Sequence, residues 1–261
     1  MEKGEGRSTV SRRIKILESL KSDGQVNVKR LSEALGVTGV TIRNDLAQLE
    51  KKRVLIRARG GAIRIEQNHT EEDYPLSDKQ KKHLFEKIEI GKKAAELIEE
   101  RNTIIIDSGS TTFELAKNLK KFRDLTVITN ALNVATLLAE NNNINVIVPG
   151  GILKKNSLSL VGIIAQNGFK DYFCDKLFLG VDGFDLDFGI STPNPEEAHL
   201  NQIMIGISKE VIVIADSSKF QKRGFAFIAP VTKINTVVTD KGILPEHKIK
   251  LESIGVKVII S

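Results

Sequence analysis

From residue 103 onward, short β-branched apolar runs alternate with segments of helical periodicity, and this alternation constrains the fold of the 261-residue chain more than any other feature. Parallel sheets covered on both faces need strands that are apolar on both sides, joined by helical crossovers. Seven runs have this character: residues 103–107, 125–129, 145–148, 176–180, 211–215, 236–239 and 257–260. Five helical segments lie between them: residues 112–119, 131–141, 162–169, 196–209 and 247–255. The sequence therefore predicts an α/β domain built on a parallel sheet.

Positive charge is concentrated in the first quarter of the chain. Residues 1–68 hold 15 Lys+Arg against 8 Asp+Glu, a net charge of +7, whereas the whole chain has a net charge of +6. A basic unit joined to a nearly neutral one is typical of a module that binds a polyanion. A solvated basic surface without a partner gives the same balance, so charge alone leaves both interpretations open.

Three helices are predicted in this basic unit, over residues 8–20, 28–35 and 39–52. Asn27 is placed to cap the second helix and Thr38 the third. The apolar stripe expected in the first helix is Val10, Ile14, Leu17 and Leu20. The buried stripe expected in the third helix is Val40, Ile42, Leu46 and Leu49. Two short helices joined by a tight turn at Gly36 have the spacing of a helix-turn-helix.

The start of the third helix carries the side chains that a major groove requires. Hydroxyls bind phosphates, a guanidinium fits guanine, and an amide fits adenine. The candidate DNA-binding residues there are Thr38, Gly39, Thr41, Arg43 and Asn44. Residues 54–64 then alternate apolar and basic side chains around a Gly-Gly turn, which predicts a β-hairpin that places Arg57 and Arg59 over the phosphate backbone. A winged helix used for protein contacts is the alternative.

A polar, acidic and proline-containing segment follows the basic unit. We therefore expect a DNA-binding domain over residues 1–68, a linker over residues 69–76 and an effector domain over residues 77–261. A helix is predicted over residues 78–100, with its apolar side chains facing inward, namely Leu84, Ile88, Ala94, Ala95 and Ile98.

Small polar residues follow several of the predicted strands, at the edge where open α/β sheets bind ligands. The loop after the first strand consists of Asp107, Ser108, Gly109, Ser110, Thr111 and Thr112. Small side chains, hydroxyls and free helix amides at this loop suit a phosphate group. The other candidate ligand-binding residues follow later strands: Asn130, Gly150, Gly151, Asp182, Asp185 and Lys219. We expect Asp182 and Asp185 to lie within reach of one pocket, and the whole edge to bind a small polar anion.

The segment LGVTGVTIRNDLAQLEKKRVLIRARGGA resembles the winged helix-turn-helix signature of DeoR-type transcriptional regulators. The segments IIIDSGSTTFELA, VIVPGGILKKNSLSLVG, DKLFLGVDGFD and ADSSKF follow in DeoR-type order. The stretch FLGVDGFDLDFGISTPNPEEAHLNQIM is most similar to the N-acetylgalactosamine repressor branch. Asn44 stands where the family usually has a second arginine, which leaves base preference at that step open.

The resemblance implies a repressor of a sugar or amino-sugar operon that binds double-stranded operator DNA as a homodimer or homotetramer. It also implies an effector domain similar to ribose-phosphate isomerase and glucosamine-phosphate deaminase folds, with a phosphorylated sugar as effector. In that setting Ser108–Thr112 would hold the phosphate, and Asp182, Asp185 and Lys219 would face the sugar. The branch makes galactosamine and tagatose phosphates the first candidates.

Two other functions compete with the regulator. Asp182, Asp185 and Lys219 could transfer protons on a sugar phosphate, as in an isomerase carrying a basic appendage. Isomerases of this fold carry a lysine in a glycine-rich loop and then a catalytic glutamate, whereas residues 189–195 here lack lysine and Gln202 falls near the glutamate's place. A partner-binding protein with both modules vestigial is the third possibility. We favour the regulator, with no catalytic residues.

Other chemistry is sparse in the sequence. Cys174 is the single cysteine, and the four histidines are far apart in the sequence, so we expect no disulfide, metal site or cofactor. The charged start of the chain and the lack of a long apolar stretch predict a cytoplasmic protein without a membrane segment.

Overall fold

The computed structural model of the chain describes residues 9–23, 25–51, 55–58, 60–64 and 74–261. The chain divides into two compact units, Met1–Asn68 and His69–Ser261. Residues 69–73 of the predicted linker lie outside the described residues. Leu76, the last residue of that linker, is already helical and buried within the second unit.

The described part of the first unit contains three helices and three short strands. In chain order they are α1 (Thr9–Asp23), β1 (Gln25–Asn27), α2 (Val28–Leu35), α3 (Gly39–Lys51), β2 (Leu55–Ala58) and β3 (Gly61–Arg64). The Asn27 side chain accepts hydrogen bonds from the backbone amides of Lys29 and Arg30, which confirms the predicted cap of α2. The three predicted helices and the hairpin are therefore present. The sequence did not predict β1, because a strand of three residues is too short to show alternation.

The hairpin is the wing of the fold and is fastened to the helices by β1. The three strands form an antiparallel sheet in the order β1-β3-β2. Gly60 turns the chain with φ +85°, and a Cβ on Gly61 would lie 1.9 Å from the carbonyl oxygen of Val26. The Gly-Gly pair is thus required both by the turn and by the close approach of β3 to β1.

Two side chains of the predicted apolar stripes are exposed in this unit, and one of them, Val40, was predicted to be buried. Val40 is 61% exposed and Ile14 is 50% exposed, whereas Ile16 in α1 is fully buried. Residues two apart on a helix lie on nearly opposite faces, so Val40 cannot share the buried face of Ile42. The side chains that do form the core are Ile16, Leu20, Val26, Val28, Leu31, Ile42, Leu46, Leu49, Leu55 and Ala62.

A buried ion-pair cluster joins α1 to α3. Arg12 Nε donates to Asp45 Oδ2 at 2.5 Å, and Arg13 Nε donates to Asp45 Oδ1 at 2.8 Å. Burial raises the pKa of Asp45, but the hydrogen bonds and charges of the two guanidinium groups outweigh burial and hold the pKa below its ordinary value. Two of the basic side chains that give this unit its charge are therefore bound by a carboxylate inside the unit.

The second unit is built on seven parallel strands. They are β4 (Thr103–Ile106), β5 (Leu125–Thr129), β6 (Ile144–Ile147), β9 (Cys174–Leu179), β12 (Ser208–Ile214), β14 (Thr236–Thr239) and β15 (Lys257–Ile260). Their order in the sheet is β15-β14-β12-β9-β4-β5-β6. These are the seven strands that the sequence predicts. Successive strands lie to one side of β4 up to β6 and then to the other side from β9 onward, so the winding reverses between β4 and β9.

Helices cover both faces of this sheet, as predicted. The seven helices are α4 (Leu76–Lys81), α5 (Leu84–Ala95), α6 (Ser110–Lys117), α7 (Leu132–Leu138), α8 (Ile163–Lys170), α9 (Pro195–Gly206) and α10 (Pro245–Ser253). Residues alternate between the faces along each strand: Ile104 and Ile106 pack with the cluster of α5, α6 and α7, whereas Ile105 packs with that of α8, α9 and α10. This double covering explains why the strands are apolar on both sides.

The prediction of one helix over residues 78–100 is wrong. The segment forms α4 and α5, separated by Lys82 and by His83, whose backbone lies in the left-handed region with φ +51°. The break changes the phase of the helix, so Leu84, expected to face inward, is 43% exposed. Sequence periodicity does not detect such a break, because His83 carries no glycine or proline signal.

Two small antiparallel sheets were not predicted. One pairs β7 (Ile152–Lys154) with β8 (Ser159–Val161), and the other joins β10 (Gly183–Asp185), β11 (Gly189–Thr192) and β13 (Ala226–Ala229). Strands of three or four residues carry too little pattern to be separated from loops.

Candidate functional site

The exposed face of α3 is the candidate DNA surface of the first unit. Thr38 Oγ1 accepts from the backbone amide of Thr41 at 3.2 Å and lies 2.9 Å from its hydroxyl, so the two threonines close the start of the helix. Arg43 and Asn44 are exposed, and Val40 lies one turn before them. Because residues three and four apart are neighbours on a helix, Val40, Arg43 and Asn44 share one solvent-facing surface.

The remaining candidates for DNA contact are described in part. Gly39 is the first residue of α3, and an added Cβ there would lie 3.9 Å from Arg43 Nη1. Arg57 lies in β2, so its backbone belongs to the wing. Arg59 lies outside the described residues.

A cleft opens in the second unit at the carboxyl ends of β4 and β9, where the winding of the sheet reverses. Open α/β sheets bind ligands at such points. The lining residues are Tyr74, Leu76, Lys79, Asp107, Ser108, Gly109, Ser110, Thr111, Asn156, Ser157, Gly180, Val181, Asp182, Thr192, Glu197, Asn201 and Lys219. Seven of the predicted ligand-binding residues are among them: Asp107, Ser108, Gly109, Ser110, Thr111, Asp182 and Lys219.

The first turn of α6 forms one wall of the cleft. Gly109 is the N-cap residue, and no side chain caps the helix. The amide of Phe113 makes the first intrahelical bond, to the carbonyl of Gly109 at 3.2 Å, so the amides of residues 110–112 precede the hydrogen-bond ladder of the helix. Backbone amides at a helix N-terminus, together with the helix dipole, bind anions such as phosphate.

Asp182 is held between two lysines on the opposite wall. Lys79 Nζ donates to Asp182 Oδ1 at 2.7 Å, Lys219 Nζ lies 3.7 Å from the same oxygen, and the Thr192 hydroxyl lies 3.4 Å from Oδ2. Burial raises the pKa of Asp182, but the charges of Lys79 and Lys219 outweigh burial and hold the pKa below its ordinary value. Asp182 is therefore an ionised acceptor for hydroxyl groups in the cleft.

Asp107 lies at the floor of the cleft and is almost fully buried. Burial raises its pKa well above the ordinary value, the carboxylate of Glu197 raises it further, and backbone hydrogen bonds from Ser108 and Gly180 only partly oppose this. With the amide nitrogen of Asn201 facing Asp107, Nδ2 donates to Oδ1 at 3.2 Å. The floor of the cleft thus presents a carboxyl group that retains its proton more readily than Asp182 does.

Glu197 supplies a third acidic group, and its carboxylate is already hydrogen-bonded within the protein. Its Oε1 accepts from the hydroxyl of Ser157 at 2.6 Å and from that of Ser159 at 3.2 Å, and Lys154 Nζ lies 3.4 Å away. Asn194 caps α9 by accepting from two backbone amides, one of them that of Glu197, and so fixes the start of the helix.

Lys87 of α5 is buried close to the cleft. Its Nζ donates to the carbonyl oxygens of Lys79 and Lys82, at 2.5 and 2.6 Å. Burial lowers the pKa of Lys87, Asp216 opposes that shift, and the positive charges of Lys219 and Lys79 lower the pKa further. A buried lysine therefore lies close to Lys79 and Lys219 of the cleft.

Five predicted ligand-binding residues do not line the cleft. Thr112 turns its hydroxyl to the carbonyl of Gly109 at 3.1 Å, and Asn130 donates to the carbonyl of Leu160 at 3.3 Å. Gly150 and Gly151 have φ of +88° and +132° and pack beside Ile164 and Ala165 instead.

The expectation that Asp182 and Asp185 share a pocket is wrong. Asp185 Oδ2 accepts from Arg223 Nε at 2.7 Å, and Oδ1 accepts from the backbone amides of Asp187 and Phe188. Asp185 therefore closes the turn after β10, where the strand carries it away from Asp182. Burial raises its pKa, but these donors lower it below the ordinary value.

Sequence reasoning missed several cleft residues because they follow no strand of the large sheet. They are Tyr74, Leu76, Lys79, Asn156, Ser157, Thr192, Glu197 and Asn201. Glu197 and Asn201 lie four apart on α9, which could have signalled one polar helix face. Gln202 of the same helix donates to the carbonyl of Phe227 at 3.2 Å and does not line the cleft.

Among the residues that the structure describes, no three His, Cys, Asp or Glu side chains are grouped so that they could hold a metal ion. Every helix in that part of the chain is too short or too polar to cross a membrane.

Comparison with known families agrees with both halves of this description. Residues 12–68 match the DeoR-like helix-turn-helix domain, and residues 82–241 match the DeoR C terminal sensor domain. The chain belongs to the DeoR family of transcriptional regulators. This DeoR-family chain therefore combines a winged DNA-binding unit with an α/β sensor unit, and the cleft lies within the sensor unit.

Named relatives extend over nearly the whole DeoR-family chain. A candidate transcriptional repressor of the aga operon from Escherichia coli O157:H7 is 39% identical over 252 residues, which are 97% of this chain and 94% of the relative. The transcriptional repressor GlcR of Bacillus subtilis is 33% identical over 230 residues, which are 88% of each chain. Among solved structures, ribose 5-phosphate isomerase A of Methanocaldococcus jannaschii matches 52% of this chain and 54% of its own, with 17% identity and a TM-score of 0.39. A structural likeness of this strength carries no argument about ligand or activity.

Proposed function

We propose that this DeoR-family regulator represses a sugar or amino-sugar operon, and that a phosphorylated sugar bound in the cleft of the second unit controls its binding to DNA. The observation that carries the proposal is the uncapped first turn of α6, which opens on a cleft that also holds Lys79, Lys219 and the ionised Asp182. An anionic group and several hydroxyls on one small molecule would satisfy these two features together.

In this proposal the phosphate binds at residues 108–111, where helix amides and three hydroxyl side chains converge. The sugar hydroxyls extend to Asp182, which accepts their hydrogen bonds, and to Asp107, which can also donate while it holds its proton. Lys219 lies close enough to Asp182 to contact either part of the effector. Galactosamine and tagatose phosphates are the first esters to test, because the aga relative shares the whole length of the chain.

The proposed DNA contacts lie on α3 and the wing. Arg43 and Asn44 are exposed on the solvent face of α3, and Thr38, whose hydroxyl caps the start of that helix, is exposed as well. Arg43 reads a base edge and Thr38 and Thr41 bind phosphate, with Arg57 and Arg59 of the wing on the adjoining backbone. Two copies in a homodimer, or four in a homotetramer, place recognition helices on paired half-sites.

Control of DNA binding, rather than catalysis, is the proposed role of the cleft. Glu197 is the glutamate that lines it, and this carboxylate is already bound by two serine hydroxyls. A proton-transferring base has to reach a substrate carbon, and Oε1 of this carboxylate already accepts from the hydroxyls of Ser157 and Ser159.

Fluorescence anisotropy on DNA from the protein's own upstream region tests the proposal. The titrations are run at fixed salt against that DNA and a random duplex, with and without galactosamine 6-phosphate, tagatose 6-phosphate and their unphosphorylated sugars. Selective binding that one phosphate ester alters, and its free sugar does not, supports the proposal. Turnover of an ester without selective DNA binding overturns it in favour of an isomerase.

Arg43→Ala gives a sharper test of the DNA surface. If Arg43 reads a base, operator affinity falls by about 1–3 kcal/mol while affinity for random DNA changes little. Lys120→Ala removes an exposed charge from the second unit and is the charge-matched control. Equal losses on both DNAs would show that Arg43 contacts phosphate only.

A further inference from the structure

The short helix α4 forms part of the cleft, although it lies far from the cleft loops in the sequence. Tyr74, Leu76 and Lys79 all line the cleft, and together they span the start of the second unit's described chain. None of them follows a strand of the large sheet. Their presence means that the first described element after the DNA-binding unit in the sequence is also a wall of the proposed effector site.

α4 packs against α6 and makes further contacts, one of which lies inside the cleft. The amide of Leu76 donates to the carbonyl of Asn156 at 2.7 Å, and the Leu76 side chain is buried. Lys87 donates to the carbonyl of Lys79 in the last turn of α4 and to that of Lys82 just after it. A further contact is the 2.7 Å ion pair of Lys79 with Asp182, which an effector bound in the cleft would meet directly.

The connection between α4 and α5 is suited to a change in angle. His83 takes φ +51°, a conformation that few residues other than glycine adopt, and its side chain makes no capping bond to α5. A bend at this residue requires no broken helix, because α4 ends at Lys81 and α5 begins at Leu84.

Two lysine side chains lie at this corner of the cleft. Lys79 Nζ is 2.7 Å and Lys219 Nζ is 3.7 Å from Asp182 Oδ1. A phosphate group entering the cleft would therefore compete with Asp182 for Lys79.

We propose that Lys79 is an effector-binding residue that exchanges Asp182 for the anionic group of the bound sugar phosphate, and that α4, moving with Lys79, transmits occupancy to the DNA-binding unit. The inference rests on the proposed function, because it assigns a role within the same cleft. Asp182, released from Lys79, becomes available to the sugar hydroxyls. The exchange can bias DNA binding only because the effector has different affinities for the two positions of α4.

Hydrogen exchange on the wild-type protein tests the movement of α4 without any substitution. Peptides covering residues 76–83 are followed by mass spectrometry with saturating tagatose 6-phosphate, galactosamine 6-phosphate or inorganic phosphate. The ester that alters operator affinity should change exchange in α4, while peptides from β14 and β15 stay constant. Unchanged exchange in α4 with an ester that binds and alters operator affinity would overturn the proposal.

Lys79→Met tests the role of the ammonium group, with Lys81→Met as the matched control on the same short helix, where Lys81 is exposed. Calorimetry should show the ester binding Lys79→Met about 10- to 100-fold more weakly, the loss expected for a charge-assisted hydrogen bond. Allosteric coupling in proteins typically changes affinity about 5- to 150-fold. In Lys79→Met, the operator affinity measured at saturating ester should differ by less than about twofold from the affinity without ester. Lys81→Met should keep the wild-type ratio.

The outcomes separate this inference from the proposed function. If the wild type responds to an ester and Lys79→Met keeps the full ratio at saturation, the role of α4 is refuted and the effector site stands. If no ester alters operator binding by the wild type, the proposed function fails and this inference falls with it. Thermal unfolding of each variant confirms that the comparison is made on folded protein.

Discussion

Asp45→Ala is expected to destabilise the first unit by about 3–5 kcal/mol, because removing one partner of a buried ion pair leaves the other charge buried. The side chain of Arg12 is 8% exposed and that of Asp45 is 3% exposed, so water cannot replace the lost carboxylate. Arg13→Ala should cost only about 1 kcal/mol, since Arg13 is 28% exposed and Asp45 keeps its bond to Arg12. A unit of this size has a total stability of about 3–10 kcal/mol, so Asp45→Ala removes a large share of it.

Hydrogen exchange in a urea series on the full chain measures this loss where it occurs. Peptides from α1 and α3 should lose protection in Asp45→Ala, while peptides from β4 and β9 report an unchanged second unit. The effect also has a pH signature, because the pKa of Asp45 is lowered: its contribution is present above the ordinary value of 3.8 and is lost as pH falls through the lowered pKa. Asp45→Ala should lack that acid-dependent loss. Losses below about 1 kcal/mol in both variants would refute the energetic role of the cluster.

Three further predictions concern single positions. The pKa of Asp107 is raised, so the wild type should lose stability relative to Asp107→Asn as pH rises from about 3.8 toward that raised pKa, and urea unfolding at several pH values would show a constant difference if this is wrong. Gly91→Ala would place a Cβ 2.6 Å from the backbone carbon of Glu114, so forcing α5 from α6 should cost about 1–3 kcal/mol in thermal unfolding, and an unchanged midpoint would contradict this packing. Val40→Ala should change stability by at most about 0.5 kcal/mol, because Val40 is 61% exposed, yet weaken operator binding where Val40 meets a thymine methyl group; an equal loss on operator in which uracil replaces thymine would exclude that contact.

The large sheet could be predicted from the sequence because its central strands are buried on both faces. Between helical segments, continuous β-branched apolar runs such as residues 103–106 and 236–239 are typical of parallel strands buried in a sheet. The N-cap at Asn27 could also be predicted, since a short polar side chain directly before an apolar helical stretch commonly caps that helix. Both predictions rest on interactions local to a few residues.

The cleft could be predicted only in part, because half of its walls are built from distant segments. Ser108 and Asp182 follow strands of one sheet, and the rule for ligand edges finds them. Lys79 reaches the cleft on a helix that ends before His83, and the break there has no composition signal. Asp185 leaves the cleft through the turn after β10, whose Asp and Gly residues signal a turn but not its direction. Val40 was misplaced for a simpler reason, because an apolar residue was assumed to be buried although single exposed valines are common.

The reversal of winding between β4 and β9 determines how easily the cleft can be altered to bind other ligands. The loops leaving these two strands diverge, so the cleft walls are largely assembled from loops and helix ends rather than from the ladder of the large sheet. Substitutions at Asn156, Ser157 or Val181 would reshape the cleft proposed to bind the sugar phosphate while leaving the seven-strand framework and the exposed face of α3 untouched. The scaffold is therefore a good starting point for biosensors, in which one DNA-binding output is kept and libraries at a few wall positions are selected for different metabolites.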